Sequence, residues 1–229
     1  VTDGSIHRTA RDIAREEITR AIVAAGRRQL SEVGPSELSL RAVARELGMV
    51  SSAVYRYFPS RDELLTALVV VIYTEIADEL ERTDAAARRR PDLHARWIAL
   101  AHRLRDWARE HPFDYALVYG SPIPGYTAPR DTVAPATRVV QVLLDLLAEA
   151  EAADRVPEPR PVPRAVRASM RGLREATAGR ISDDLLVRGV QAWGSLLGAL
   201  DLELFGHLHG AVEDHDVWFA HLAERIAPL

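Results

Sequence analysis

Apolar positions recur at spacings of three and four over most of the chain, and runs alternating polar with β-branched residues are absent, which predicts an all-α protein. A first helix is predicted over residues 9–33, with Ile18, Ile22, Ala25 and Leu30 on one stripe and Gly34-Pro35 as its stop. A short helix follows from Ser39, a good N-cap, through Leu40, Val43, Ala44 and Leu47 to Gly48. Another runs over 51–58 and stops at Pro59-Ser60. A long one over 61–84 places Leu64, Leu68, Ile72, Ile76 and Leu80 in one row. The run 85–90 then leads into Pro91, with Arg88, Arg89 and Arg90 read as a solvated helix end. Leu93, Trp97, Leu100, Leu104 and Trp107 form the next buried seam, broken at His111-Pro112. A short apolar piece reaches Tyr119, a Pro/Gly loop spans 120–129, and a helix covers 131–154. Pro157, Pro159, Pro161 and Pro163 make an extended linker, and three last helices are predicted over 164–178, 182–205 and 213–226.

Composition narrows the class. At 229 residues the chain holds one large domain or two small ones, and 48% hydrophobic with 27% charged residues is the mix of a protein that folds in water. The absence of cysteine removes disulfides, thiol nucleophiles and Cys-containing metal sites, and fits a reducing cytosol. The longest uncharged stretch, 115–129, has 15 residues and three prolines, too short and too broken to span a bilayer. The polar N-terminus lacks the apolar core of a signal peptide, so a cytoplasmic protein is expected. Net charge is −4, but residues 1–62 carry ten Arg against eight acids while 63–229 carry 19 against 25. Every basic residue is Arg, a planar donor fork suited to phosphate. A +2 module is a weak electrostatic footprint, so any DNA argument needs a motif.

That motif is 38–58, LSLRAVARELGMVSSAVYRYF. A helix-turn-helix wants a small residue where its helices meet, a Gly where the turn takes a positive φ, and an apolar anchor in the second helix. Ala44, Gly48 and Val54 supply these. Leu40, Val43, Leu47 and Phe58 would pack inward, leaving Arg41, Arg45, Ser51, Ser52, Arg56 and Tyr57 outward as a groove-facing helix requires. An ordinary αα-hairpin shows the same pattern, so pattern alone leaves both readings open.

The string Leu-Ser-Leu-Arg-Ala-Val-Ala-Arg-Glu-Leu-Gly, followed by Ala-Val-Tyr-Arg-Tyr-Phe-Pro-Ser-Arg-Asp-Glu-Leu-Leu, resembles the TetR family of bacterial one-component repressors over about residues 9 to 80. The resemblance implies a three-helix DNA-binding domain (1–60), a larger helical effector-binding and dimerisation domain (61–229), and a homodimer built on the last two long helices. Carried over position by position, it implies base contacts from Arg41, Ser51, Ser52, Ala53, Tyr55 and Arg56, and phosphate contacts from Ser39, Tyr57 and Arg61. Arg61 stands where the family commonly has Lys. Val50 stands where it usually has a capping Ser or Thr, which costs about 1 kcal/mol relative to Ser unless Ser51 takes over the cap. The C-terminal half resembles, more loosely, the WHG class of effector domains, through Ala108-Arg109-Glu110-His111-Pro112, 119–126 and 193–204. Leu197 occupies the histidine place there, so no role for that histidine carries over.

Aromatics are concentrated between Trp97 and Tyr126. An effector pocket lined by Trp97, Leu100, Leu104, Trp107, Phe113, Tyr119, Tyr126 and Trp193 is expected, and a filled core would look alike. Ser121, Tyr126 and Thr127 are its polar handles, so the expected effector is apolar or aromatic with one or two hydrogen-bonding groups. Gly189, Gly194 and Gly198 sit in an otherwise apolar helix and imply close helix approach, read as the subunit interface together with Leu197, Phe205 and Trp218 rather than as internal packing. His207, His209 and His215 lie near Glu213, Asp214 and Asp216, but as a polar turn rather than a metal site, and no metal or cofactor is expected. No Gly-rich phosphate loop or nucleophile elbow is present, so no enzyme is expected. The expected function is a ligand-responsive repressor on a palindromic DNA operator. Its rival is a helical sensor that has lost DNA recognition.

Overall fold

The structure is a computed structural model that describes residues 9–88 and 92–229. The polar residues 1–8 and the Arg89, Arg90 and Pro91 part of the basic run lie outside the described residues. Eleven helices and no strand occur among those described: α1 (Ala10–Val33), α2 (Leu40–Glu46), α3 (Ser51–Val54), α4 (Arg61–Ala87), α5 (Leu93–Glu110), α6 (Pro112–Tyr119), α7 (Val133–Ala152), α8 (Arg164–Ser169), α9 (Arg171–Ala176), α10 (Asp183–Leu204) and α11 (His215–Arg225).

Local chemistry sets the long elements. Thr9 and Asp12 close a capping box at the start of α1, with Asp12 N–H donating to Thr9 Oγ1 at 3.2 Å and Thr9 N–H to Asp12 Oδ2 at 3.0 Å. Ser60 caps α4 by accepting the Glu63 N–H at 3.2 Å, and the alanines at 85–87 carry that helix three residues past the predicted end. α4 is the central post, packed chiefly on α7 and α5. α10 leans on α5 and α7, α11 on α5, and α1 meets α2, α4 and α6. One buried apolar cluster runs from Ile22 to Ala223 and ties both halves together. Trp97 Nε1–H donates to the Ala223 carbonyl at 2.9 Å, which joins α5 to α11.

Three predicted elements differ. The 51–58 helix is α-helical only over Ser51–Val54, and its remaining turn closes on i+3 bonds such as Arg56 N–H to the Ala53 carbonyl. The 164–178 helix is broken at Met170 into α8 and α9, neither of which buries a residue, so no packing holds one axis. The apolar piece before Tyr119 is a helix, because Pro112 at its first turn needs no N–H partner there.

Candidate nucleic-acid interface and effector domain

The helix-turn-helix is built by α2 and α3. α2 ends in a Schellman motif: Gly48 takes φ +64°, Met49 N–H donates to the Ala44 carbonyl at 2.8 Å, and Gly48 N–H to Arg45 at 3.2 Å. Ala44 and Val54 are buried where the helices meet, with Leu40, Val43 and Phe58 beside them. Arg28 pairs with Glu46 at 2.6 Å, which fixes α2 to α1. Val50 sits at the N-cap of α3, 71% exposed, and supplies no side-chain acceptor. Ser51 does not move the cap, since the helix still starts at Ser51 and Val50 holds the cap geometry.

Arg41, Arg45, Ser52, Tyr55 and Arg56 are exposed on the outer face, with Ser51, Ala53 and Tyr57 half-buried beside them. The side chains of Arg41, Arg45 and Arg56 have no ion-pair or hydrogen-bond partner among the described residues. Tyr57 has the Arg15 guanidinium 5.3 Å from its ring centroid. Ser39 occupies the N-cap place of α2 but makes no cap bond with its side chain, and its N–H donates to Gln29 Oε1 at 3.2 Å. Arg61 is placed differently from a free phosphate donor: its Nη2 donates to the Pro35 carbonyl at 2.6 Å, anchoring the turn after α1.

The eight aromatic and apolar residues expected to line one pocket are divided. Trp97, Leu100, Leu104 and Trp193 surround a void of about 20 Å³ between α4, α5, α7 and α10, room for about one water. Trp107 is buried against His111, with ring centroids 5.3 Å apart. Tyr119 packs edge-on against Tyr73 and Trp193, and burial raises its hydroxyl above the ordinary tyrosine range. Tyr126 shares a 3.1 Å hydrogen bond with Thr66 on α4. Phe113 lies elsewhere, half exposed at the start of α6. Tyr115, in the same aromatic concentration, is fully buried and donates to Asp201 at 2.8 Å; burial first, then this carboxylate, raises its hydroxyl strongly.

The three glycines of α10 separate. A Cβ at Gly189 would come within 2.6 Å of Leu147 Cδ1, so this one serves internal packing of α10 on α7, against the interface reading. A Cβ at Gly194 or Gly198 would meet nothing within 4 Å. Val190, Leu202 and Phe205 are exposed along α10, and Val217 on α11, with Leu197 and Trp218 half-buried. Of the polar turn before α11, Asp214 caps that helix and Asp216 pairs with Arg105 at 2.8 Å and Arg109 at 3.0 Å. The Arg105 guanidinium holds Asp216 below the usual carboxylate range. Among the described residues no group of three or more His, Cys, Asp or Glu is placed to hold a metal ion.

A joint that sequence reasoning missed connects the halves. Arg27 of α1 donates to both carboxylate oxygens of Glu75 on α4, at 2.8 and 2.6 Å, and through Nε to Asp114 on α6 at 2.8 Å. Burial opposes its charge, but the hydrogen bonds it donates to Glu75 and Asp114 outweigh that and leave the guanidinium more basic than usual. The partners stand 48 and 87 positions away, so no spacing in the sequence announces them.

A helix-turn-helix with unpaired outward arginines, carried on a helical effector domain, is the build of a one-component DNA-binding regulator. Residues 22–68 match the bacterial regulatory proteins of the tetR family, and residues 97–226 match the Tetracyclin repressor-like, C-terminal domain. HTH-type transcriptional regulator Rv1816 of Mycobacterium tuberculosis (strain ATCC 25618 / H37Rv) is 43% identical over 200 residues, covering 84% of this chain and 83% of that protein. The crystal structure of the regulatory protein SCO4313 superposes with a TM-score of 0.78 at 33% identity, covering 95% of this chain and 98% of that one. The fatty acid degradation regulator FadR from Bacillus halodurans, at 11% identity and a TM-score of 0.62 over 91% of this chain and 94% of its own, shares the fold alone. The chain belongs to the TetR family and is a helix-turn-helix transcriptional regulator. No helix among the described residues is long and apolar enough to cross a membrane.

Proposed function

We propose that this regulator is a homodimeric repressor that holds a near-palindromic operator through paired α3 helices and releases it when a small apolar or aromatic effector binds. The unpaired, exposed Arg41, Arg45 and Arg56 carry the DNA half of this reading, because arginine forks without intramolecular partners are free for base edges and phosphates. Arg41, Ser51, Ser52, Ala53, Tyr55 and Arg56 face the bases in this arrangement, and Ser39, Tyr57 and Arg61 the backbone. Arg61 would have to exchange its Pro35 bond for a phosphate. The open stripe of Gly194, Leu197, Gly198 and Phe205, with Trp218, is the proposed subunit interface, since a second copy of α10 fits against glycines that nothing else covers. Such an interface sets the half-site spacing. Effector binding among Trp97, Leu100, Leu104 and Trp193 would require α5 and α7 to part, and the open state would be the one of low operator affinity.

The uncapped Val50 and the four-residue α3 favour one rival, a helical sensor with degraded DNA recognition. Pull-down of genomic fragments by the full chain, followed by sequencing, decides between them. A recovered palindromic motif is the expected result, and random recovery rejects the repressor reading.

A further inference from the structure

A cavity far larger than the Trp97 void lies away from the aromatic residues of the effector core. It is a cleft of about 1280 Å³ between the DNA-binding and effector halves, walled by α1 with Tyr57 and Phe58 on one side and by α4 and the start of α6 on the other. Drug-sized ligands occupy pockets of roughly 300 to 1,000 Å³, so the space suffices, whereas the Trp97 void of about 20 Å³ does not. Its floor is apolar, formed by Val23, Ala67, Val70 and Val71. Phe113 stands at its edge half exposed, an apolar ring left in water on the same short helix that buries Tyr115 completely.

The charge of the lining selects the ligand. Five carboxylates face three guanidiniums. Arg27 is engaged by Glu75 and Asp114, and Arg28 by Glu46, so only Arg20 stands free. Against it, Glu63 and Asp131 line the cleft with no side-chain partner among the described residues. A nucleic acid or an acidic molecule meets an excess of negative charge there. A cation with an apolar body meets complementary charge at Glu63 and Asp131, and the half-exposed Phe113 ring at the edge adds attraction for it.

We propose that this cleft is a binding site for a lipophilic organic cation, and that its occupation shifts the helix-turn-helix relative to the effector domain. The second half follows from position: an occupant touches α1 and Tyr57 on one side and α4 and α6 on the other, so any difference in its affinity between two interdomain angles changes the placement of α3. This half rests on the regulator reading above. The binding itself does not.

The test uses the full chain with tetraphenylphosphonium and tetraphenylborate, ions of one shape and opposite charge, in equilibrium dialysis. Wild type is expected to hold the phosphonium roughly tenfold or more tighter than the borate. The Glu63→Gln, Asp131→Asn double variant, at two exposed positions, should lose about that factor with its melting temperature unchanged. Ala24→Trp fills the cleft from its place on α1 and should abolish binding. Equal affinity for the two ions, or phosphonium binding that survives both cleft variants, overturns the site. Operator anisotropy is read in parallel: release by phosphonium supports the coupling, and a bound operator unmoved by bound phosphonium overturns it. A chain that binds phosphonium but recovers no operator sinks the regulator reading and leaves the site standing.

Discussion

The arginines of the two halves do opposite work. On α2 and α3, Arg41, Arg45 and Arg56 are exposed and without partners. In the effector domain Arg96 and Arg105 are buried, at 4% and 3% exposure, and every fork is answered by carboxylate. Arg105 donates to both oxygens of Glu203 at 2.8 Å, and Arg96 donates to Asp84 at 2.9 Å and to Glu149. Burial opposes the charge of both, yet their carboxylate partners leave them more basic than usual. The same side chain is therefore a structural bolt where its partners are supplied by the fold, and on α2 and α3, where the fold withholds them, it is the group proposed to read DNA. The overall charge of −4 hides this, because most cations of the effector domain are already neutralised within it.

The comparison breaks most visibly at Arg105. Arg105→Ala leaves Glu203, at 7% side-chain exposure, with only the longer contacts of Arg109 at 3.8 Å and His215 at 3.9 Å, and should cost about 3 kcal/mol in urea unfolding. Arg105→Met combined with Glu203→Leu should recover most of that loss, because the burden is the orphaned charge rather than the missing pair. If the single variant unfolds like wild type, Arg105 is not a bolt. At the proposed dimer stripe the expected change is in assembly: a side chain at Gly198 meets nothing within this chain, so if a second copy covers it, Gly198→Leu should sediment as monomer at concentrations where wild type is dimeric. A dimeric Gly198→Leu chain moves the interface off α10.

Arg41→Ala tests the other side of the contrast. Melting should be unchanged, since no partner is lost, while operator affinity falls by about 1–3 kcal/mol with relaxed sequence preference in titrations against single-base operator variants. A stability loss without an affinity loss would reverse the assignment. The smallest effect is at the cap: Val50→Ser supplies an acceptor for the free amides of α3 and should stabilise the chain by about 1 kcal/mol. Tighter operator binding by Val50→Ser would identify the short α3 as a deliberate weakening of recognition, and unchanged binding would make the cap a matter of stability alone.

Much of the fold was legible because amphipathic rows are local. Leu64, Leu68, Ile72, Ile76 and Leu80 lie on one face of α4 through helical geometry alone, and all are buried. The helix-turn-helix was legible for a similar reason, since Ala44, Gly48 and Val54 fall within eleven residues and the positive φ of Gly48 needs no distant partner. The aromatic cluster was not. Trp and Tyr at helical spacing mark a greasy interior, and the spacing is the same whether that interior encloses a ligand or closes on itself around a void of about 20 Å³. The glycines of α10 show the limit most directly: Gly189 and Gly198 look alike in sequence, yet one receives Leu147 and the other faces open space.

The sequence by itself determined most of the helices, the turn of the helix-turn-helix and the family, because each depends on residues a few positions apart. The tertiary structure decided which arginines are spent inside the protein, which glycines stay uncovered, and where there is room for a ligand. Arg27 finds Asp114 across 87 positions, and the cleft joins Thr19 to Asp131. Such contacts are fixed by how the helices pack, a property of volumes and angles that no periodicity along the chain records.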